Sequence, residues 1–458
     1  MRLTFYGAAE TVTGSKFLLE NKNNFMIDCG LFQGPKELRL RNWVPPPFDP
    51  KKIHSVFITH AHIDHSGYTP LLVKHGFSGK ILTTEATADL CSILLPDSGY
   101  LQEEDARYAN KHHFSKHTPA LPLYTEQEAR ATLRFFETHP MERSIKVSEE
   151  VEALFHPAGH ILGACFVELL VRPGKKRVLF TGDLGRPHSQ FMIKPFRMEE
   201  TDYLVVESTY GDREHSDEDA RDRLEEIVNS TAAKGGTILI PSFAVERAQE
   251  VIYLLRQLKE QKKIPDLPIY VNSPLAINAT EIFRRHPDGH KISLRLLTDH
   301  ATNPLECGNL HFIHDAKGSK RLNEMTTPMI VIAGSGMAEG GRVLHHLKQR
   351  LPKAQNAVVF VGFQAEGTRG RALIDGTKAV KIHGLSIPVN ARIEHIDTLS
   401  AHADSKEILN WLSSFKKAPR LTFIVHGEKS ASESLQKKIH DRLGWKTVVP
   451  KYGEGFDL

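Results

Sequence analysis

The segment that most constrains the fold is a run of metal-binding residues placed directly after an apolar strand. Residues 60–65 read H-A-H-I-D-H, and residues 55–59 before them read S-V-F-I-T. The first two histidines stand two residues apart, so on an extended backbone their side chains face the same side. The aspartate and the last histidine fall at the turn into the next helix, where they can face a second ion. The end of this strand is therefore expected to open onto a site for one or two metal ions.

Composition sets the broad class of the protein. A chain of 458 residues with 40% hydrophobic and 25% charged residues is typical of a soluble globular protein with two or three domains. No run of 18 apolar residues is present, so no membrane span is expected. The four cysteines are scattered without a C-x-x-C pair, which favours a reducing cytoplasm. A net charge of +4 permits a polyanionic partner without requiring one.

The pattern of apolar residues changes twice along the chain. Up to about residue 208 it predicts short strands, interrupted by one helix over 86–111. From 209 to 390 strands and helices alternate, as in the strand at 237–240 and the helical period that follows it, which is typical of a parallel sheet. Short strands return after 390. The sequence thus predicts an α/β protein in which segments 1–208 and 391–458 form one domain and 209–390 is inserted in it.

Acidic and histidine residues follow several of the predicted strands. One such residue alone is commonly a turn residue. Strand ends deliver side chains to one edge of a sheet, so several of them together with the run at 60–65 predict a dinuclear metal site. The six residues are Asp28, His60, His160, Asp183, Glu207 and His426.

The order of these motifs resembles a known group of enzymes. The run at 60–65, His160 and the T-G-D that ends at Asp183 are similar to the metallo-β-lactamase-fold hydrolases. Three further motifs resemble the nucleic-acid-cutting branch of that fold, the β-CASP ribonucleases, in a compact prokaryotic form. They are E-S-T-Y-G at 207–211, S-A-H-A-D at 400–404 and V-H-G-E at 425–428, and the likeness covers essentially the whole chain in the right order.

The resemblance implies a metallo-β-lactamase αββα sandwich with an inserted β-CASP α/β domain, and it implies a ligand set. His60, His62 and His160 would bind one Zn²⁺, Asp64, His65 and His426 would bind a second, and Asp183 would bridge both. Mn²⁺ also suits such nitrogen and oxygen ligands. Asp28 is expected to support a ligand histidine by fixing its tautomer.

The resemblance also implies a mechanism for cutting single-stranded RNA. A hydroxide shared by the two metals is the expected nucleophile, oriented by Asp64. His402 is the expected general acid on the departing 3′-oxygen, held by a hydrogen bond that it donates to Glu207. A histidine at position 426 favours RNA over DNA, because the DNA-repair branch carries an aliphatic residue there.

Two segments of the inserted domain are candidate phosphate contacts. Ser335, Gly336 and Met337 lie between a predicted strand and a predicted helix, where backbone N–H groups can approach a phosphate. Arg247 stands at a similar turn and is either an RNA contact or a structural ion-pair partner. Endonuclease and 5′→3′ exonuclease action both stay open, and a homodimer is possible. The alternatives are a small-ester or thioester hydrolase and a DNA nuclease of the same fold.

Overall fold

The computed structural model describes residues 1–113, 115, 117–172, 174–292, 305 and 307–458. The chain divides into two compact units. The first unit combines Met1–Glu214 with His402–Leu458, and the second is His215–Ala401. The expected boundary at residue 390 precedes a strand, Arg392–His395, that pairs in parallel within the sheet of the second unit. The second unit therefore continues to Ala401.

The first unit contains two seven-stranded sheets. The strands of one sheet, in spatial order, are β22 (Gly455–Asp457), β1 (Arg2–Phe5), β2 (Phe17–Glu20), β3 (Asn24–Ile27), β4 (Ile53–Phe57), β5 (Lys80–Thr83) and β6 (Phe136–Thr138). Those of the other sheet are β21 (Thr447–Val448), β20 (Leu421–Val425), β11 (Tyr203–Glu207), β10 (Lys176–Phe180), β9 (Cys165–Val171), β8 (Val151–Pro157) and β7 (Ile145–Lys146).

One apolar core joins the two sheets. It includes Phe5, Phe57, Phe155, Phe180 and Phe423, all 1% exposed or less, and therefore side chains from strands of both sheets. Burying such side chains supplies the main favourable term of folding. Because the strands β3, β4, β11 and β20 run in parallel pairs within their sheets, the residues that follow them emerge at the strands' carboxyl ends.

Helices flank these sheets. They are α1 (Lys36–Leu40), α2 (Ile63–Ser66), α3 (Thr69–Lys74), α4 (Glu85–His112), α5 (Glu126–Thr132), α12 (Ser405–Leu412) and α13 (Lys429–Leu443). The predicted helix over 86–111 is thus confirmed as α4, which begins where the Thr84 hydroxyl accepts a backbone N–H. A capping box formed by Asp404 and Glu407 begins α12.

The second unit contains a six-stranded sheet whose pairs are all parallel, as the strand and helix alternation predicts. Its strands in spatial order are β14 (Leu310–Phe312), β13 (Ile269–Asn272), β15 (Met329–Ala333), β12 (Thr237–Pro241), β16 (Ala357–Phe360) and β19 (Arg392–His395), and a hairpin is formed by β17 (Ala379–Ile382) and β18 (Leu385–Pro388). Its helices are α6 (Ala220–Ala232), α7 (Arg247–Glu260), α8 (Pro274–Arg285), α9 (Ala316–Glu324), α10 (Arg342–Arg350) and α11 (Arg369–Ile374).

The predicted α/β class is confirmed. All four cysteines are free and buried. Among the helices that the structure describes, none is both long and apolar enough to cross a lipid bilayer.

Candidate metal centre

The run at 60–65 lies where β4 ends and α2 begins. The backbone N–H of Thr59 donates to Asp28 Oδ1 at 2.8 Å, and its hydroxyl donates to Asp28 Oδ2 at 2.9 Å. These bonds fix the extended backbone just before His60. Because α2 then begins at Ile63, the side chains of Asp64 and His65 are carried on a helical turn and not on the strand.

Three histidines and one carboxylate oxygen form the first cluster of candidate ligands. His62 Nδ1 lies 3.1 Å from His60 Nε2 and 3.3 Å from His160 Nε2. Asp183 Oδ2 lies 3.4 Å from His60 Nε2 and 3.5 Å from His160 Nε2. The four ligand atoms all fall within 4.8 Å of one another. They come together from three separate segments of the chain, since only His60 and His62 are close in the sequence.

A second cluster is built around the other oxygen of the same aspartate. His65 Nε2 lies 3.3 Å from Asp183 Oδ1 and 3.1 Å from His426 Nε2. Asp64 Oδ2 lies 3.2 Å from His426 Nε2. The two oxygens of Asp183 are therefore divided between the two clusters, which is the arrangement that a carboxylate bridging two cations requires.

Two further side chains hold the histidines of the second cluster. Asp28 is fully buried, and its Oδ2 lies 2.7 Å from His65 Nδ1. The hydroxyl of Thr209 lies 3.1 Å from His426 Nδ1. Each contact engages Nδ1 of its ring, although Nδ1 of His426 also lies 3.4 Å from Asp183 Oδ1. The other nitrogen of each ring is thereby left to bind a metal.

Glu207 and His402 form a pair beside the two clusters. Both Glu207 oxygens lie near His402 Nδ1, at 3.0 and 3.2 Å. The carboxylate also accepts the backbone N–H of Leu184 at 2.6 Å and that of Thr209 at 3.2 Å. His402 Nε2 lies 3.9 Å from Asp183 Oδ2, too far for a hydrogen bond. This nitrogen is the one that faces the metal clusters.

The electrostatics of the first cluster fit a cation. Burial lowers the pKa of His60 to about 3 and that of His62 to about 4, and it lowers the pKa of His160 well below its usual value. All three rings are therefore neutral, and each brings one ring nitrogen close to the others. Asp183 adds a carboxylate, and its Oδ1, the oxygen on the side of the second cluster, has no hydrogen-bond partner within the described part of the chain. Neutral imidazoles and an unsatisfied carboxylate form the donor set that Zn²⁺ prefers.

In the second cluster, and in His402 beside it, nearby carboxylates raise the pKa of the histidine rings. Burial lowers the pKa of His65, but Asp183, Asp28 and Asp64 outweigh it and raise that pKa well above its usual value. Burial also lowers the pKa of His402, and Glu207 and Asp183 outweigh it and raise the pKa to about 9. Buried carboxylates need nearby positive charge. Protons on these rings supply it, and a metal bound at His65 would displace the proton there.

The guanidinium of Arg247, a candidate phosphate contact, forms ion pairs with carboxylates of its own chain. Its side chain is 5% exposed and forms ion pairs with Glu250, one helical turn further on, and with Glu246 at 3.7 Å. This geometry favours the structural alternative that the sequence leaves open for Arg247. A guanidinium so buried is not presented to a ligand from solvent.

The other candidate phosphate contacts lie in the loop between β15 and α10. Ser335 and Met337 are half-buried and Gly336 is buried. Gly336 stands against the Phe243 ring, where an added Cβ would lie 2.6 Å from a ring carbon. Its carbonyl accepts the Gln364 side chain at 3.1 Å. The glycine is thus required by packing, and contact of this loop with phosphate stays a prediction.

The sequence reasoning missed Thr59 and Thr209, which position Asp28 and His426. Both stand beside residues that were identified, Thr59 before His60 and Thr209 two residues after Glu207. A hydroxyl next to a candidate ligand is a weak signal, because threonine is common at strand ends. Only the folded contacts separate these two from other threonines.

Three family models match consecutive parts of the chain. The metallo-beta-lactamase superfamily matches residues 14–234, the Beta-Casp domain matches 248–373, and the Zn-dependent metallo-hydrolase RNA specificity domain matches 386–450. A crystal structure of a protein of unknown function from Enterococcus faecalis has the same fold, with a TM-score of 0.53 and 13% identity over 100% of this chain and 99% of that one.

Curated relatives match over nearly the whole chain. Ribonuclease TTHA0252 of Thermus thermophilus is 36% identical over 99% of both chains. An RNase J-like protein of Methanocaldococcus jannaschii is 30% identical over 98% of both. Transcription termination factor FttA of Methanosarcina mazei is 30% identical over 98% of this chain and 70% of its own length. This chain is a metal-dependent hydrolase that belongs to the β-CASP ribonuclease family of the metallo-β-lactamase superfamily.

Proposed function

We propose that this chain hydrolyses phosphodiester bonds of single-stranded RNA at a centre that holds two zinc ions. The observation that carries the proposal is the division of the Asp183 oxygens between two clusters of ligands. The similarity to proteins named as ribonucleases, and to an RNA specificity domain over residues 386–450, supports RNA as the substrate.

The ligands are assigned by the contacts of each cluster. His60, His62 and His160 would hold one ion, and Asp183 would bridge to the other. Asp64, His65 and His426 would hold the second ion. Two such ions, when bound, acidify a water molecule and neutralise the phosphoryl oxygens. Mn²⁺ also suits these donors.

The proton steps belong to side chains of this chain. Asp64 accepts a hydrogen bond from the attacking water and orients it. His402 donates a proton from Nε2 to the departing 3′-oxygen, since that nitrogen faces the clusters while Nδ1 is engaged by Glu207. Glu207 keeps the ring in the required orientation and stabilises its charged form.

Several finer points belong to the same proposal. Ser335, Gly336 and Met337 would contact RNA phosphates through backbone N–H groups. The sequence shows no RNP-type aromatic signature or zinc-finger spacing for sequence-specific base readout, so cutting at accessible single-stranded sites is the simpler expectation. A cytoplasmic location and a homodimer stay predictions.

Arg247 offers a direct test between its two alternatives. If it serves the ion pairs with Glu246 and Glu250, Arg247→Ala lowers the thermal midpoint of unfolding and leaves the salt dependence of RNA binding unchanged. If it contacts phosphate, the plot of log affinity against log salt loses about 0.7 in slope, the value for one contact with a single strand. Binding titrations at several salt concentrations separate these results.

The main test compares metal-loaded and chelated protein on single-stranded RNA labelled at the 5′ or the 3′ end, beside DNA of the same sequence. Metal-dependent cleavage of RNA that is lost in Asp64→Ala is the expected result. The label patterns then distinguish endonuclease from 5′→3′ exonuclease action. Intact RNA alongside bound zinc contradicts the proposal, and hydrolysis of a small ester or of DNA instead identifies the alternative enzyme.

A further inference from the structure

An exposed aromatic segment continues directly from the loop behind the metal centre. The backbone N–H groups of Cys29 and Leu31 donate to the carbonyls of His65 and Ile63, at 2.7 and 2.9 Å. The loop that follows β3 is thereby bound along its length to the run that carries the candidate ligands. The chain then passes through α1 into a short 3-10 turn, Arg41–Trp43.

A buried asparagine fixes this turn to the loop. Asn42 accepts the Phe32 backbone N–H at 3.0 Å and donates its amide to the Phe32 carbonyl at 2.8 Å. A two-point bond of this kind holds the residues on either side of Asn42 in place before any ligand arrives. A surface that is ordered in advance loses less entropy when it binds.

The residues beside Asn42 expose flat side chains. The Arg41 guanidinium lies 4.4 Å from the centre of the Tyr452 ring and 5.4 Å from that of Phe32. Tyr452 is 41% exposed and Trp43 is 55% exposed. We call Arg41, Trp43 and Tyr452 the aromatic platform. Both rings are therefore accessible to a stacking partner from solvent.

The charge around the aromatic platform identifies the kind of ligand. Residues 34–52 carry five cationic side chains and two carboxylates. Four of the cations, Lys36, Arg39, Lys51 and Lys52, are exposed. Flat rings among cations match a polyanion with flat bases, because bases stack on aromatic rings and guanidinium groups while phosphates attract the cations.

We infer that the aromatic platform stacks bases of the single-stranded RNA that flanks the cleaved bond. The inference rests on the proposed ribonuclease function and adds a binding surface to it. RNA held at the metal centre extends beyond the reacting phosphate on at least one side, whether it is cut internally or from an end. The platform belongs to the segment that continues from the wall of that centre, so it offers the flanking nucleotides a place to bind.

Binding of fluorescein-labelled oligouridylate to the full-length, metal-free protein tests the inference without cleavage. RNA of about 12 nucleotides is compared with RNA of about 4, within the site sizes that stacking surfaces cover. Trp43→Ala and Tyr452→Ala are each expected to weaken binding of the longer RNA about fivefold or more, the lower end of the stacking range. Trp43→Phe keeps a ring and retains most of the affinity.

Tyr100→Ala is the matched control, since Tyr100 is 45% exposed on α4 of the same unit and lies outside the platform. It is expected to bind RNA as the unchanged protein does. Rates with metal on the longer RNA are divided by rates on bis(p-nitrophenyl) phosphate, which is too small to span both sites. This ratio falls for Trp43→Ala if the platform acts on flanking nucleotides.

The failures of the two proposals are distinguishable. If RNA is cleaved but Trp43→Ala and Tyr452→Ala bind every length of RNA normally, the platform inference is wrong and the ribonuclease proposal stands. If sedimentation shows that these variants change the oligomeric state while RNA binding is unchanged, the surface joins copies of the chain and the inference is also overturned. If the unchanged protein neither binds nor cleaves RNA, both proposals fail.

Discussion

Two buried carboxylates hold a histidine ring in the same way, yet the two rings have different surroundings. Asp28 and Glu207 are both fully buried, and each binds Nδ1 of a histidine, at 2.7 Å for His65 and 3.0 Å for His402. Each carboxylate also accepts a backbone N–H, at 2.8 Å for Asp28 and 2.6 Å for Glu207. In both pairs the carboxylate fixes the tautomer of the ring, so that Nε2 stays available for a second interaction.

The two pairs differ in the groups that lie near the Nε2 atom of each histidine. Nε2 of His65 lies 3.1 Å from His426 Nε2 and 3.3 Å from Asp183 Oδ1, among candidate ligands. Nε2 of His402 lies 3.9 Å from the nearer Asp183 oxygen, and the His402 side chain is 14% exposed against 2% for His65. The same local pairing thus fits the two roles that we propose, a metal ligand for His65 and a general acid for His402.

The largest expected effect concerns His402, the proposed general acid. His402→Ala is expected to lower the turnover of RNA cleavage about 10²–10⁴-fold, the contribution of a general acid. Zinc content per chain should be unchanged, because His402 belongs to neither ligand cluster. Metal analysis and single-turnover kinetics measure both quantities. Normal turnover in this variant contradicts the general-acid role, and loss of zinc would make His402 a ligand.

The next effect separates the two carboxylates. Asp28→Asn places an amide against His65 Nδ1 and disturbs its tautomer, so zinc affinity should fall about 10–100-fold. Saturating zinc should restore most of the activity. Glu207→Gln makes the same chemical change in the other pair, and its activity should stay low at every zinc concentration. Equal responses of the two variants to added zinc would refute the distinction between the pairs.

A third carboxylate-held ring lies apart from the ligand clusters and shows what such pairing does for stability. His156 sits between Glu142 and Glu168, at 2.6 and 3.0 Å, and is 7% exposed. Burial lowers its pKa, but the two carboxylates outweigh burial and raise it above 6.5. The charged ring therefore stabilises the fold fully below the unfolded pKa, and this contribution is lost as pH rises through the folded pKa.

His156→Gln is accordingly expected to lower the free energy of unfolding by about 1–3 kcal/mol at mildly acid pH, the value of charged hydrogen bonds. The deficit should shrink at alkaline pH. Urea unfolding followed by the fluorescence of the three tryptophans, Trp43, Trp411 and Trp445, measures it. His139→Gln is the control, since its bond to Glu137 lies nearer the surface, with side chains 22% and 38% exposed. A deficit that does not change with pH would show that the ring is neutral in the fold.

Whether a feature of the fold or of the candidate site can be predicted from the sequence depends on how far apart in the sequence its residues lie. The run at 60–65 predicts a metal site by itself, because four candidate ligands lie within six residues after an apolar strand. The inserted parallel sheet follows from the alternation of strands and helices. The role of His402 rests on resemblance alone, since no local pattern distinguishes it. The ion pairs of Arg247 depend on burial, which a single sequence does not reveal.

The smallest expected effect concerns Thr209, which contacts a candidate ligand histidine through a hydroxyl and not through a carboxylate. Thr209 holds His426 Nδ1 at 3.1 Å, as Asp28 holds His65, but with a neutral partner. Removing a neutral hydrogen bond costs less than removing a charged one, so Thr209→Val should weaken zinc binding by about tenfold or less.

Thr422→Val is the matched control for Thr209→Val. Thr422 is fully buried on β20, the strand that leads to His426, and its hydroxyl has no hydrogen-bond partner among the described residues. Competition with a chromophoric chelator measures zinc affinity in both variants. If Thr209→Val weakened zinc as strongly as Asp28→Asn, the charge of the supporting group would not matter.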